Sequence, residues 1–97
     1  MKKMADIDYR RIVRILKSRA EVLNLIGRNE RALADLEKGL MISKRQQDKK
    51  FQADCHLQFS DIYNSVSRYE DMLSSAEESL CIYRDINDKK GEAESLN

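Results

Sequence analysis

Apolar residues recur every three or four positions along four segments of this chain, and polar or charged residues fill the positions between them. This spacing places the apolar side chains on one stripe of an α-helix, whereas a half-buried β-strand requires strict alternation. The pattern therefore predicts four amphipathic helices. The apolar positions of the four segments are Ile12, Ile15, Leu16, Leu23 and Ile26; Ala32, Leu33, Leu36, Leu40 and Met41; Leu57, Phe59, Ile62, Tyr63 and Val66; and Met72, Leu73, Ala76, Leu80 and Tyr83.

The third and fourth segments repeat the first and second at an interval of 40 residues. When each residue from 24 to 53 is compared with the one 40 positions later, eleven pairs are identical and no gap is needed. Such self-similarity predicts a repeat architecture in which each unit is one supersecondary element. We expect a single all-α domain over residues 1–97, with repeat one at about 8–47, repeat two at about 48–87, and the first helix of a partial third repeat at 88–97.

Short polar stretches separate the predicted helices and contain residues typical of helix ends. Gly27 can adopt the left-handed conformation that terminates a helix. Ser67, with Glu70 three residues later, has the form of a capping box for the following helix. Asp48 and Asp88 precede the first helices of successive repeats, where an aspartate can accept a backbone N–H and meet the positive end of the helix dipole. Helices joined so closely are expected to pack antiparallel.

Composition and charge narrow the class of protein. The chain has no proline, three glycines and 36% charged residues, which favours helices over strands. Its net charge is only +1, so a nucleic-acid partner is not expected on electrostatic grounds. Residues 1–19 nevertheless hold seven basic and two acidic side chains. A weaker alternative function is therefore contact with nucleic acid or a membrane surface through Arg10, Arg11, Arg14 and Lys17.

The chain lacks the residue patterns of a catalytic or metal site. His56 is the only histidine, and Cys55 and Cys81 have no partner at metal-ligand spacing. Ser60 lies near His56, but residues on one helix at this spacing lack an orienting acid and oxyanion donors. We therefore expect no enzyme activity, no cofactor and no metal. Because the chain shows neither a signal peptide nor an apolar run long enough to span a bilayer, we expect a cytoplasmic protein.

Residues in both units resemble the tetratricopeptide repeat. In the second unit Phe59, Ser60 and Tyr63 occupy the leucine, small and tyrosine positions of that family's first helix. The unit of 40 residues exceeds the common length of about 34, and resembles a longer variant found in regulatory and scaffolding arrays. The additional residues would lie in "SKRQQDKK" and "RDINDKK" and extend both helices around the turn between repeats. The resemblance implies a short right-handed α-solenoid of about five helices. In the first unit the matching residues are Ala20, Leu23, Gly27, Ala32, Leu36, Gly39 and Leu40.

The resemblance also implies where a ligand would bind. Members of this family typically bind peptides or helices along a concave face lined by the first helix of each repeat. This implies a non-catalytic protein-interaction module, a fragment of a scaffolding or regulatory protein, whose groove runs from basic to acidic. Some members bind the terminal carboxylate of a ligand with basic and asparagine side chains, but the acidic residues on this face argue against that mode. Asn24 and Asn64 are the strongest candidates for contact with a peptide backbone, because a side-chain amide can both donate and accept hydrogen bonds. The candidate residues are Arg14, Lys17, Glu21, Asn24, Asp54, Leu57, Asp61 and Asn64, with Glu94 and Asn97 in the third repeat.

Self-association is the main alternative function. Each repeat buries its apolar face only against its neighbours, and roughly three or more repeats are normally needed for stability. The third repeat would consist of one helix with Ala93 and Leu96 facing inward. We therefore expect either a homodimer formed through the C-terminal repeat or cover by sequence missing from a truncated chain. The candidate self-association residues are Leu80, Ile82, Tyr83 and Ile86.

Overall fold

The computed structural model describes residues 2–87 and 89–96, with side chains for residues 9–87, 91 and 94–96. This part of the chain forms five α-helices and no strand, which confirms the predicted all-α class. The first helix begins well before the expected start of repeat one near residue 8, because residues 2–8 contain no helix-breaking residue. The helices are α1 (Lys2–Leu25), α2 (Asn29–Arg45), α3 (Lys49–Ser65), α4 (Tyr69–Asp85) and α5 (Lys89–Leu96).

Each helix packs against the next one in sequence, and α1 also contacts α3. Because the connections within residues 2–69 contain only three residues each, successive helices run antiparallel. The first helices of the two repeats, α1 and α3, therefore lie side by side, and α2 packs against both of them. The result is a flat arrangement with principal extents of 43, 30 and 17 Å.

The turns between helices share one backbone geometry. The second residue of each turn has a positive φ, which is 84° at Gly27, 55° at Gln47, 62° at Ser67 and 60° at Asn87. In the three turns described in full, the next residue donates its N–H to a carbonyl five residues earlier at 2.7–2.9 Å, the hydrogen bond of a Schellman motif. Since α2, α3 and α4 each contain 17 residues, the 40-residue unit consists of two similar helix-and-turn segments.

The geometry of these turns tests the predictions made from the sequence about where and how the helices end. The left-handed conformation of Gly27 is confirmed. The capping box at Ser67 is wrong, because Ser67 itself adopts the left-handed conformation and the N-cap of α4 is Arg68, without a side-chain cap. The cap at Asp48 is confirmed, since its Oδ1 accepts the N–H of Phe51 at 3.2 Å. The matching prediction for Asp88 lies outside the described residues.

The hydrophobic core lies where α2 meets α1 and α3. Ala20, Ala32, Leu36, Phe59 and Ile62 form one buried cluster, with every member at most 5% exposed. Several residues of the predicted apolar stripes instead face solvent, and Leu96, expected to face inward on α5, is 64% exposed. The expectation for Leu96 is therefore wrong, while the side chain of Ala93 lies outside the described residues. The exposed stripe residues are Ile12, Ile15, Ile26, Met41 and Leu73.

The contact between α4 and α5 requires a glycine. Tyr83 of α4 is 1% exposed, and its ring lies so close to Gly91 of α5 that a Cβ at position 91 would overlap it. Forty residues earlier, the corresponding positions hold Ser43 on α2 and Phe51 on α3. The large and small residues are thus exchanged between the two helices from one repeat to the next, which conserves the total volume at this position.

Candidate protein-binding groove

Two adjoining clefts lie along the first helices of the repeats. The larger one, of about 470 Å³, lies between α1 and α3 and contains five of the eight candidate ligand residues. Their spacing of three and four residues along each helix explains why they share one surface. The residues that line it are Arg14, Lys17, Ser18, Glu21, Asn24, Leu25, Gln58, Asp61 and Ile62.

The second cleft, of about 320 Å³, continues the first one towards α5 and shares three lining residues with it. It adds two more candidates, Asp54 and Leu57, so seven of the eight lie in one continuous surface, which we call the first-helix groove. Asn64 is exposed but lines neither cleft. Glu94 of α5 also lines the second cleft, as the sequence predicted, and Asn97 lies outside the described residues. The remaining lining residues are Lys50, Tyr83 and Gly91.

Asp54 connects three helices within the groove. Its Oδ2 lies 3.2 Å from Nζ of Lys17 on α1, and its Oδ1 lies 3.7 Å from Nζ of Lys50 on α3. The hydroxyl of Tyr83 on α4 also donates to Oδ1. Because its carboxylate pairs with two lysines and accepts a hydroxyl hydrogen bond, Asp54 connects the helices that line the groove.

Tyr83 corrects one sequence prediction. It was expected on an exposed self-association surface, but α5 covers it and Asp54 accepts its hydroxyl hydrogen bond. The other three residues predicted for that surface differ in exposure, since Leu80 and Ile82 are half-buried and Ile86 is 37% exposed. Only Ile86 is thus exposed as expected. The signal that could have placed Tyr83 correctly is Gly91, which replaces Phe51 of the preceding repeat.

Gln58 is a groove residue that sequence reasoning missed. It lines both clefts, and its Nε2 donates to the backbone carbonyl of Lys17 at 2.9 Å, across the space between α3 and α1. Its Oε1 is buried and has no hydrogen-bond partner among the described residues. The available signal was position, because Gln58 follows directly after the candidate Leu57 and corresponds to Ser18 in repeat one.

The amide of Asn24 is already occupied by internal hydrogen bonds. Its Nδ2 donates to Oγ of Ser65 at 3.2 Å, and its Oδ1 accepts from Nδ2 of Asn29. A ligand backbone would have to share or replace these bonds. Asn24 and Asn64, expected to act as an equivalent pair, therefore have different environments, because Asn24 lies in the larger cleft and Asn64 lies outside it.

Charge is distributed unevenly along the groove. Arg14 and Lys17 supply positive charge on α1, whereas Glu21 and Asp61 face the same cleft one to two turns away. Although the Asp61 side chain is partly exposed, desolvation by its surroundings raises its pKa, and the nearby charge of Glu21 raises it further. A cationic side chain placed between these two carboxylates would offset both effects by Coulombic attraction.

Burial shifts the pKa values of two described titratable residues outside the groove, His56 and Cys55. Burial lowers the pKa of His56, whose ring centroid lies 6.2 Å from that of Phe59. Burial also raises the pKa of the Cys55 thiol to about 11, which disfavours the nucleophilic thiolate. Cys81 is exposed. Among the described residues, no group of three or more His, Cys, Asp or Glu side chains could hold a metal ion.

The described helices also include none with the length and apolar character needed to cross a membrane. Comparisons of the chain with protein-family models, with curated proteins and with solved structures gave no match. The assignment of function therefore depends on the groove itself.

Proposed function

We propose that this chain is a non-catalytic protein-interaction module of the tetratricopeptide type, which binds a segment of another protein in the first-helix groove. The observation that supports it is the convergence of seven candidate residues, chosen from the sequence alone, on one continuous surface. The groove is bounded by helices rather than loops, so its side chains are presented by a rigid framework. A scaffolding or regulatory role in the cytoplasm accords with this proposal.

The charges of the groove define the ligand. Arg14 and Lys17 would bind acidic side chains, and Glu21 with Asp61 would bind a lysine or arginine further along the same segment. The half-buried Leu57 and Leu25, which is 79% exposed, provide apolar contact along the groove. The preferred ligand is thus a peptide or helix with acidic and basic residues separated by at least one apolar residue.

Selection of peptides from a random library tests this proposal. Peptides selected on the wild-type chain should bind the variant Glu21→Lys at least tenfold more weakly, because the substitution reverses one of the two negative charges that would bind a lysine or arginine. The matched control is Glu37→Lys, an exposed glutamate of α2 outside both clefts, and it should retain wild-type affinity. Failure to select any peptide, or equal loss in both variants, would contradict the proposal.

Self-association through α4 is a second candidate function. The observation that favours it is the exposure of Tyr69 and Leu73, each at 57%, which lie four residues apart on one side of α4. Leu73→Asp should lower the mass measured by light scattering at high protein concentration if this surface joins two copies. A wild-type chain that stays monomeric over the whole concentration range would eliminate this alternative.

Nucleic-acid binding by α1 receives less support. Of the four basic residues considered for it, Lys17 is paired with Asp54 and lies over the ring of Phe51, with Nζ 5.5 Å from the centroid. Arg19 of the same helix is likewise engaged, in an ion pair with Asp35. Two basic side chains of α1 are therefore already paired with aspartates, which leaves less positive charge for phosphate groups.

A further inference from the structure

A second apolar surface lies on α1, on the side away from the core. Ile15, Val22 and Ile26 are 62%, 56% and 62% exposed, and Ile12 is 46% exposed. With Arg19 they form a stripe at spacings of three and four residues, which we call the α1 outer face. A shallow depression of about 480 Å³ lies along it, lined by Arg14, Ile15, Ser18, Arg19 and Val22.

The internal repeat shows what kind of structure covers such a face. The positions 40 residues later than Ile15, Arg19 and Val22 are Cys55, Phe59 and Ile62 on α3. These three side chains are 0%, 5% and 2% exposed. The central part of this stripe is thus exposed in repeat one and buried in repeat two, while the end positions of repeat two, Gln52 and Val66, are half-buried.

In repeat two the cover is a helix. Ala32 and Leu36 of α2 belong to the same buried cluster as Phe59 and Ile62 of α3. Further along α2, a Cβ at Gly39 would lie 3.6 Å from Sγ of Cys55, so the two helices approach closely at a small residue. A helix suited to this stripe therefore carries small or apolar residues at intervals of four, three and four, as α2 does at positions 32, 36, 39 and 43.

The positive charge around the α1 outer face indicates that a partner helix would be acidic. None of the residues that line its depression is acidic, and Arg11 and Arg14 are exposed beside it. Arg19 donates to Asp35 from Nε and Nη2 at 2.7 and 2.8 Å, and its side chain remains 54% exposed. We propose that the α1 outer face binds an acidic amphipathic helix of a partner protein, in the orientation in which α2 packs on α3.

A second copy of the chain is a poorer occupant. Its α4 is the helix that corresponds to α2, but Tyr83 on α4 accepts only a glycine opposite it, as Gly91 of α5 provides. In the repeat register, α1 presents Arg11 at that position. The Cβ of Arg11 would overlap the Tyr83 ring, and α5 already covers this part of α4.

A membrane surface is also a poorer occupant. Arginines beside an apolar stripe are typical of helices that bind at a bilayer surface. Here Arg19 lies within the stripe and is held there by Asp35, so the bilayer would have to take up a fixed ion pair among the apolar residues. A partner helix with small residues opposite Arg19 avoids this cost, because it can pack beside the ion pair and leave the exposed part of the guanidinium in contact with water.

A synthetic helix derived from the chain itself provides the probe. The peptide comprises residues 69–85 with Tyr83→Ser and blocked ends, and it carries five acidic residues and one basic residue. It keeps the spacing of α2 and removes the side chain that conflicts with Arg11. Under reducing conditions, fluorescence anisotropy should show saturable binding to the wild-type chain, with affinity that decreases as salt concentration rises.

Two variants locate the binding site. Val22→Asp, at the centre of the α1 outer face, should weaken binding at least tenfold because it introduces negative charge and removes apolar contact. Met41→Asp is the matched control, since Met41 of α2 is 55% exposed and Val22 is 56% exposed, and it should bind within twofold of wild type. Circular dichroism melting curves should show that both variants stay folded, as expected for exposed positions.

Other results would overturn the proposal. Absence of saturable binding would do so, as would binding unaffected by Val22→Asp, which would show that the peptide replaces α4 or binds in the first-helix groove. If vesicles containing phosphatidylserine bind the wild-type chain but not the Val22→Asp variant, and the peptide does not bind the wild-type chain, the occupant is a membrane. If Val22→Asp dissociates a dimer of the wild-type chain, the occupant is a second copy. Loss of peptide binding in Val22→Asp would locate the site on the α1 outer face whether or not the first-helix groove binds a ligand of its own.

Discussion

The two repeats place similar residues in different surroundings. Val22 and Ile62 occupy equivalent positions, yet the first is 56% exposed and the second 2% exposed. Leu33 and Leu73 are identical and equivalent, yet Leu33 is half-buried and Leu73 is 57% exposed. Ile62 lies on α3, which packs against α1, α2 and α4, and Leu33 lies on α2, between α1 and α3. Val22 lies on α1, whose only packing neighbours in the described part of the chain are α2 and α3, and Leu73 lies on α4, whose second neighbour is the eight-residue α5. Burial in this fold is therefore decided by the neighbouring helix rather than by the residue.

The junction between α2 and α3 and the junction between α4 and α5 differ in where they place their large side chain. Position 83 holds a tyrosine where position 43 holds a serine, and position 91 holds a glycine where position 51 holds a phenylalanine. A backbone repeat can thus be conserved while the side chains that fill it are redistributed. As a result α4 is specific for α5 over the other first helices of the chain. The contact requires a glycine, and neither α1 nor α3 carries one at the equivalent position.

The largest effect should come from truncating the equivalent apolar residues of the two repeats. We expect Ile62→Ala to lower the free energy of unfolding by about 3 kcal/mol, because it leaves a cavity in the core. Val22→Ala should change it by less than about 0.5 kcal/mol, since the side chain is mostly in water. Urea denaturation followed by circular dichroism measures both values. Equal losses would show that the α1 outer face is covered in solution.

A smaller effect should follow from rebuilding the junction of repeat one within repeat two. Gly91→Phe alone should destabilise the packing of α5 on α4 by about 2 kcal/mol, because the new side chain overlaps Tyr83. Adding Tyr83→Ser should recover part of this loss by reproducing the pair at positions 43 and 51. Hydrogen exchange of the α5 amides measures the local stability.

The double-mutant cycle provides the control for this junction. The coupling between the two substitutions should be favourable and about 1 kcal/mol. If the stability changes of the two single variants add up to that of the double variant, the exchange of large and small residues between the repeats does not contribute to stability.

The smallest effect concerns the turns. Gly27 and Ser67 are equivalent residues with φ of 84° and 62°, a conformation that costs serine more than glycine. Ser67→Gly should therefore raise the free energy of unfolding by about 0.5–1 kcal/mol, and Gly27→Ser should lower it by a similar amount. Thermal and chemical denaturation give the values. A loss of stability in Ser67→Gly would mean that the serine hydroxyl contributes more than the backbone strain costs.

Much of the fold could be predicted from the sequence. The four apolar stripes and the 40-residue interval indicated helix pairs, and the structure contains them. Gly27 and Asp48 were interpreted correctly because their roles depend on neighbouring residues in the chain. The left-handed serine at position 67 was missed because serine is also a favoured N-cap, and only the hydrogen bonds of the turn separate the two roles.

The groove was predictable in position but not in its internal bonds. Seven candidate residues share its surface because helical spacing and the repeat interval together fix which side chains lie on the same side. The pair of Lys50 and Asp54 has the four-residue spacing of a local helix ion pair. The bonds from Asp54 to Lys17 and Tyr83 could not be foreseen, since these partners lie on other helices, 37 and 29 residues away in sequence. The distinct environments of Asn24 and Asn64 arise in the same way.

The sequence by itself determined the helices, their order and the interval at which they recur, because periodicity and turn geometry are local properties of the chain. The tertiary structure alone decided which equivalent residues are buried, which charges are already paired, and which apolar face on α1 is exposed. Those outcomes depend on contacts between helices, and a residue's own type carries no information about which helix lies opposite it. Val22 and Ile62 differ for this reason, although the repeat makes them equivalent.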